Sequence, residues 1–158
     1  MASPDQSSKP IAVNRKARHD YFVIEAFEAG IELRGTEVKS IRESQISLAG
    51  GFARVEEGDV ILRNITISPY EFGNRFNHPP DRPRRLLLHR KQIQKLEVQT
   101  EQKGNTLIPL SVYLKRGLVK VELGLCKGKQ QQDKRETLRR KTADREADRA
   151  IASARKRR

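Results

Sequence analysis

The sequence has few of the residues on which several classes of protein depend. Its single cysteine, Cys126, cannot form a disulfide within the chain. No stretch approaches the ~20 consecutive apolar residues of a membrane-spanning helix, and residues 1–10 contain no apolar run of the kind a secretory signal requires. We therefore expect a protein of the reducing cytoplasm.

Groups that could support catalysis are equally sparse. His19, His78 and His89 lie far apart in the chain, and no Cys-x-x-Cys or His-x-x-x-His spacing offers a metal site. Residues 124–130 resemble a phosphate-binding loop but are one residue short of that motif, and Gln130 stands where a hydroxyl would be needed. We predict no enzymatic activity and no cofactor or metal, with a nuclease kept as a rival hypothesis.

Positive charge is abundant. The chain has 33 Lys and Arg against 20 Asp and Glu, a net charge of +13, and residues 127–158 alone carry 13 basic against 5 acidic residues. This excess favours a polyanionic partner, with nucleic acid as the first candidate. A membrane surface is less favoured, because the tail lacks an apolar face of Trp, Phe and Leu.

Hydrophobic periodicity predicts short strands and small helices between residues 11 and 127. We expect residues 1–10 to be a disordered leader. Predicted strands cover 21–24 and 31–33, joined by a turn at 27–30, followed by two hairpins, 52–55 with 60–67 and 106–114 with 118–126. One short predicted helix begins after an N-cap at Thr36. A second predicted helix runs over 89–103 and ends at Gly104. This order favours a closed antiparallel β-barrel of about six strands with two to three short helices.

Residues 128–158 form a basic C-terminal tail with a weak helical stripe. The stripe consists of Ala143, Ala147, Ala150, Ile151 and Ala154. At ~25 cal/mol/Å², methyl groups of this size cannot offset the entropy of ordering ~20 residues. We predict a tail that is disordered when free and helical on a binding surface.

Five segments, taken together and in order, resemble the bacterial SsrA-binding protein family, also called small protein B. They are residues 14–22, 27–30, 35–42, 85–88 and 127–135, and the resemblance covers about residues 11–140. It implies an oligonucleotide-binding (OB)-like barrel without catalytic activity. It also implies that the protein binds the tRNA-like domain of transfer-messenger RNA, completes its missing anticodon arm and delivers it to stalled ribosomes for trans-translation.

The resemblance also implies which residues carry the function. The RNA-binding set is Asn14, Arg15, Lys16, Arg18, His19, Tyr21, Glu28, Lys39, Leu87, Lys127 and Lys129. The set that enters the decoding centre and messenger channel of the ribosome is Gln132, Asp133, Lys134 and Arg135. The sequence departs from the common pattern at Gln130, where a second Lys is frequent, and at Gln132, where a His often precedes Asp-Lys-Arg.

Several alternatives stay open at this point. The basic clusters could be solvated surface, Leu87 could pack inside the barrel, and Glu28, Glu37 and Asp133 could serve in salt bridges or caps. The predicted loop 68–84 contains the aromatic residues Tyr70, Phe72 and Phe76, which could pack in the protein or stack on bases. Packing is favoured, because aromatics are only 5% of the chain and the core needs some of them. The main functional rival is a general RNA-binding or ribosome-associated barrel, and we expect a monomer.

Overall fold

The computed structural model describes residues 9–72, 77–129 and 131–156, and these ranges contain nine strands and four helices. The strands are β1 (Pro10–Val13), β2 (Tyr21–Ile31), β3 (Ile46–Ser47), β4 (Phe52–Glu56), β5 (Asp59–Arg63), β6 (Thr66–Ile67), β7 (Arg84–Leu87), β8 (Asn105–Lys115) and β9 (Leu118–Gly128). The helices are α1 (Arg15–Asp20), α2 (Gly35–Arg42), α3 (Arg90–Thr100) and α4 (Gln131–Lys156). Most of the predicted leader lies outside the described residues, and Pro10 already belongs to β1.

Six antiparallel strands form a closed ring. The hydrogen-bonded order is β8, β4, β5, β7, β2 and β9, and β9 pairs again with β8. Strand β1 adds to β8 outside the ring, and β3 pairs separately with β6. The prediction of a mainly β protein with small helices is confirmed.

The core lies within the ring because side chains alternate between its two faces. Val121, Leu123 and Leu125 are buried on one face of β9, while Lys120 and Glu122 lie on the opposite face. Both predicted hairpins are confirmed. Their two-residue turns have positive φ at both positions, 50° and 81° at Glu57 and Gly58 and 52° and 78° at Arg116 and Gly117, as type I′ turns require.

The predicted turn at 27–30 is wrong. Strand β2 runs without interruption from Tyr21 to Ile31, and its pairing with β9 shifts register between Val23 and Glu25. Gly30 does not end the strand, because it pairs with Leu87 of β7 on one side and Lys120 of β9 on the other. The predicted second strand therefore contributes only Ile31.

Other predicted boundaries also change. The strand predicted over 60–67 breaks at Asn64, where φ is 62° and the side-chain amide donates to the Gly50 carbonyl, so its last residues form β6. Helix α2 starts at Gly35, so Thr36 lies within it rather than capping it. Helix α3 ends at Thr100, and Gly104 lies in the turn that follows.

A buried ion cluster joins α2 to the start of β7 and to the segment before it. Glu37 and Arg84 are both fully buried and form an ion pair, and Arg82 adds a second pair to the same carboxylate. The carboxylate also accepts from the Arg34 backbone N–H at 2.8 Å. Burial alone would raise the pKa of Glu37, but these hydrogen bonds hold it below its ordinary value of 4.5. The salt-bridge and capping role predicted for Glu37 is confirmed.

The chain divides into two compact units, Met1–Gly128 and Lys129–Arg158. The second unit contains α4, a helix of 26 residues whose described side chains are all exposed. Its helical period agrees with the sequence pattern, and disorder of the free tail stays a prediction. In the part of the chain that the structure describes, no helix has the length and apolar character needed to cross a membrane.

Candidate nucleic-acid interface

Helix α1 is fixed to the ring by Asn14. It carries the first basic cluster, which consists of Arg15, Lys16 and Arg18. The Asn14 Oδ1 atom accepts from the Ala17 N–H at 3.2 Å, which caps the helix, and its amide donates to the Pro109 carbonyl at 3.0 Å. Asn14 is therefore buried, and its polar atoms are occupied by the protein itself. The structure gives it a positioning role, whereas contact with RNA stays a prediction.

The apolar side of α1 packs on the outer face of β8 and β9. Ala17 contacts a second buried cluster that contains Ile108, Leu110 and Cys126. This packing leaves Arg15, Lys16 and Arg18 exposed on the other side of the helix. Sequence periodicity did not predict α1, because six residues with a single buried position are too short to show a helical repeat.

Two segments that are distant in sequence meet where β2 begins and β9 ends. Tyr21 pairs with Gly128, and Phe22 pairs with Lys127. Lys127 is exposed there, beside the end of α1. The ring therefore brings Lys127 to the first basic cluster. His19 lies in the same region, half-buried, and its Nδ1 atom has no hydrogen-bond partner among the described residues.

A strip of charged and polar groups extends from α1 across the outer faces of β9, β8 and β2. Arg18 Nη2 lies 3.8 Å from Glu122 Oε1, and Ser111 Oγ donates to Glu122 Oε2 at 2.8 Å. Glu28 is the residue paired with Glu122 in the β2 and β9 register. We call this set of residues and its continuation to Leu87 the outer strip.

Glu28 is held by two donors from β8. The Tyr113 hydroxyl donates to Glu28 Oε2 at 2.6 Å, and Lys115 Nζ lies 3.3 Å from Oε1. The Tyr113 hydrogen bond, together with Lys115, lowers the pKa of Glu28 below its ordinary value of 4.5, although burial opposes the shift. Burial and the neighbouring carboxylate raise the pKa of Tyr113. Glu28 is therefore an ionised acceptor with a fixed orientation.

Leu87 lies at the far end of the outer strip and is 47% exposed. Leu86 is the member of the Leu triplet that enters the core, at 2% exposure, so the alternative in which Leu87 packs inside the ring is wrong. Leu87 covers Gly30, because a Cβ atom at Gly30 would lie 3.2 Å from Leu87 Cβ. The two residues border a recess of about 510 Å³ that is also lined by Glu28, Arg85 and Lys120.

The remaining predicted residues lie elsewhere. Lys39 is exposed on α2, where its ammonium group lies 5.4 Å from the centre of the Tyr70 ring. Lys129 is half-buried and opens the second unit. Gln132, Asp133 and Lys134 belong to α4, as does Arg135, which is exposed; Gln130 and Phe76 lie outside the described residues. Within the described ranges, no group of His, Cys, Asp or Glu could hold a metal ion.

The chain matches the protein-family model described as SmpB protein over residues 11–153. The chain belongs to the SmpB family. The resemblance predicted from the five sequence segments is thereby confirmed. This chain is 59% identical over 143 residues to the SsrA-binding protein of Shouchella clausii, and the match covers 90% of this chain and 92% of that protein.

Two further similarities each cover most of the chain. It is 54% identical over 153 residues to the SsrA-binding protein of Geobacillus thermodenitrificans, covering 97% and 99% of the two chains. A solved structure, "tmRNA-SmpB: a journey to the center of the bacterial ribosome", contains a chain 48% identical to this one. That match has a TM-score of 0.66 and covers 84% of this chain and 96% of the other.

The fold of this SmpB-family chain adds residues to the outer strip that sequence reasoning did not select. Lys120 and Glu122 alternate with buried Val119 and Val121 along β9, but nothing in the sequence indicates which part of the protein they meet. Tyr113 lies 85 residues from Glu28. Only the strand register brings such residues together, so local patterns carry no signal for the contact.

Proposed function

We propose that this chain binds the tRNA-like domain of transfer-messenger RNA and delivers it to stalled ribosomes for trans-translation. Its membership in the SmpB family, the SsrA-binding protein names of its relatives, and a 48% identical chain in the tmRNA-SmpB structure support this function. The observation on which the proposal mainly rests is the outer strip, which joins the exposed cations of α1 to Glu28 and Leu87 on one continuous face.

In this proposal the cations and the acceptor have different tasks. Arg15, Lys16 and Arg18 contact phosphates, which supplies affinity but little specificity. The ionised Glu28 carboxylate only accepts hydrogen bonds, so it selects a donor such as a base amino group or a ribose 2′-hydroxyl. Leu87 packs against the same nucleotide. A carboxylate among so many cations disfavours indiscriminate phosphate binding and so supports selectivity. The full proposed set is Asn14, Arg15, Lys16, Arg18, His19, Tyr21, Glu28, Lys39, Leu87, Lys127 and Lys129.

We infer that the six-stranded ring is an OB-like closed barrel spanning residues 11–127. Six antiparallel strands that return to the first strand, with apolar residues alternating toward the inside, support this description. OB-type barrels bind oligonucleotides on strand faces and adjoining loops. The outer strip across β2, β9 and β8 is a surface of that kind.

We infer that residues 128–158 act inside the ribosome, with Gln132, Asp133, Lys134 and Arg135 in the decoding centre. All described side chains of α4 are exposed, so they offer no packing that would hold the helix in free solution. Helix formation would then accompany binding to ribosomal RNA in the messenger channel. The protein would work as a cytoplasmic monomer with no catalytic step of its own.

The outer strip is tested by replacing Leu87. Leu87→Ser should weaken binding of the tRNA-like domain while leaving folding intact, because the side chain is half-exposed and lies outside the core. Val98→Ser is the matched control, since Val98 is 61% exposed on α3 and outside the outer strip. Affinity is measured by filter binding at one fixed salt concentration. Equal affinities of the two variants and the wild type would contradict the assignment of Leu87.

The tail is tested by ending the chain after Gly128. The truncated protein should retain most of its affinity for the tRNA-like domain, because it loses only Lys129 of the proposed RNA-binding set and keeps the whole outer strip. It should fail to support peptide tagging on stalled ribosomes in a reconstituted translation system. Normal tagging by the truncated protein would show that the tail is not the decoding element.

A further inference from the structure

Phe72 is the most exposed large apolar side chain among the described residues, at 73%. The preference for packing that composition suggested is therefore wrong for this residue. A largely solvated aromatic ring is costly to keep at a surface unless it contacts a partner. Phe72 belongs neither to the outer strip nor to the tail.

Phe72 lies beside a second aromatic ring and a cation. Its ring meets that of Tyr70 edge to face, with centroids 5.7 Å apart and an interplanar angle of 68°. Lys39 Nζ lies 5.4 Å from the centre of the Tyr70 ring. Tyr70 is held by Asn77, whose side chain accepts from the Tyr70 N–H at 3.1 Å and donates to its carbonyl. The pair is thus fixed at its base while Phe72 stays open to solvent.

We propose that Tyr70 and Phe72, with Lys39, form a stacking platform for one unpaired RNA base. This inference rests on the proposed RNA-binding function and adds a second contact site to it. Stacking on an exposed aromatic face is a usual means of holding a splayed-out base, and a nearby cation adds attraction for the nucleotide phosphate. Glu71, which is exposed between the two rings in sequence, makes the rings themselves a site for a base rather than for a phosphate.

RNA is favoured over an apolar protein surface because the platform is two rings beside a cation, not a contiguous apolar patch. The chain also carries a net charge of +13. The base could belong to the tRNA-like domain or to ribosomal RNA, since both expose unpaired bases. Separate measurements with each RNA distinguish these two sources.

The test compares Phe72→Leu with Phe72→Trp. Leucine keeps an apolar side chain but has no π face, so Phe72→Leu should lower affinity roughly 5- to 150-fold for either the tRNA-like domain or the small ribosomal subunit. Phe72→Trp should bind at least as tightly as the wild type. Val98→Leu and Val98→Trp are the controls at a matched exposed site and should bind both RNAs normally.

Fluorescence gives a direct readout with the isolated tRNA-like domain. The chain has no Trp, so Phe72→Trp carries a single indole, and stacking on a base quenches its emission. If the tRNA-like domain is the source, saturating RNA quenches Phe72→Trp but not Val98→Trp. If ribosomal RNA is the source, no quenching occurs and only subunit affinity falls in Phe72→Leu.

If Phe72→Leu bound both RNAs with wild-type affinity, the platform would be overturned. Equal weakening in Phe72→Leu and Phe72→Trp would also overturn it, because the requirement would then be for shape and not for stacking. Either result leaves the proposed function standing, since wild-type binding to the same RNAs is measured in parallel. Loss of wild-type binding to the tRNA-like domain itself would instead refute the proposed function.

Discussion

Replacing Glu37 by Gln should strongly destabilise the first unit of the chain. Glu37 and Arg84 are both fully buried, and Arg82 shares the same carboxylate. Gln keeps the shape of the side chain but removes its charge, which leaves the Arg84 guanidinium buried without a counter-ion. Breaking a buried pair in this way costs about 3–5 kcal/mol, a large part of the ~5–15 kcal/mol that stabilises a typical domain.

The loss is measured by urea unfolding followed by circular dichroism, with the free energy extrapolated to water. The control is the double variant Glu37→Leu with Arg84→Met, in which both charges are replaced by apolar groups of similar size. Such replacements are often neutral or stabilising, so the double variant should be more stable than Glu37→Gln. If the double variant is the more stable of the two, the loss in Glu37→Gln comes from burying an unpaired charge and not from altered packing.

Acid supplies an independent check on the same pair. Because the folded-state pKa of Glu37 is held below 4.5, the ionised carboxylate contributes its full stability above that pH. The contribution is lost as the pH falls through the folded-state pKa. The stability difference between wild type and Glu37→Gln should therefore be constant near pH 7 and shrink below about pH 4.5. A loss below about 1 kcal/mol at pH 7, or a difference that grows in acid, would refute the argument.

Three further results are expected. The pKa of the Cys126 thiol is raised to about 11 by burial, so thiol reagents at pH 8 should react only after urea is added; rapid labelling of native protein would contradict this. Gly51→Ala places Cβ 2.5 Å from Ile65 Cγ2 and should cost about 1–3 kcal/mol in thermal unfolding, whereas an unchanged melting temperature would show that the site can relax. Tyr113→Phe removes a hydrogen bond to Glu28 and should raise the carboxyl pKa toward 4.5 in an NMR titration; an unchanged value would refute the role of the hydroxyl.

Local chemistry explains which parts of the fold could be predicted from sequence. The two hairpins follow from alternating strands that meet at Gly58 and Gly117, where a positive φ is needed. The same reasoning failed at Gly30, because that glycine does not make a turn but lets Leu87 approach the strand closely. A glycine in sequence does not distinguish these two uses.

The candidate site was only partly predictable for a related reason. The basic residues of α1 and the acidic Glu28 stand out in sequence, but their arrangement depends on strand register. The Leu triplet illustrates the point, since only the pairing of β7 with β2 determines that Leu87 faces outward while Leu86 is buried. The ion pair between Glu37 and Arg84 spans 47 residues and has no local signal at all.

The most direct test of the proposed function is competition binding by the intact protein. Labelled tRNA-like domain is bound at one fixed salt concentration and displaced either by the same RNA without label or by an unrelated structured RNA of equal length. Charge alone would bind both equally, because phosphate contacts carry no sequence information. Our account predicts that the unrelated RNA competes only at about 1,000-fold higher concentration or more. Equal competition by the two RNAs would contradict it.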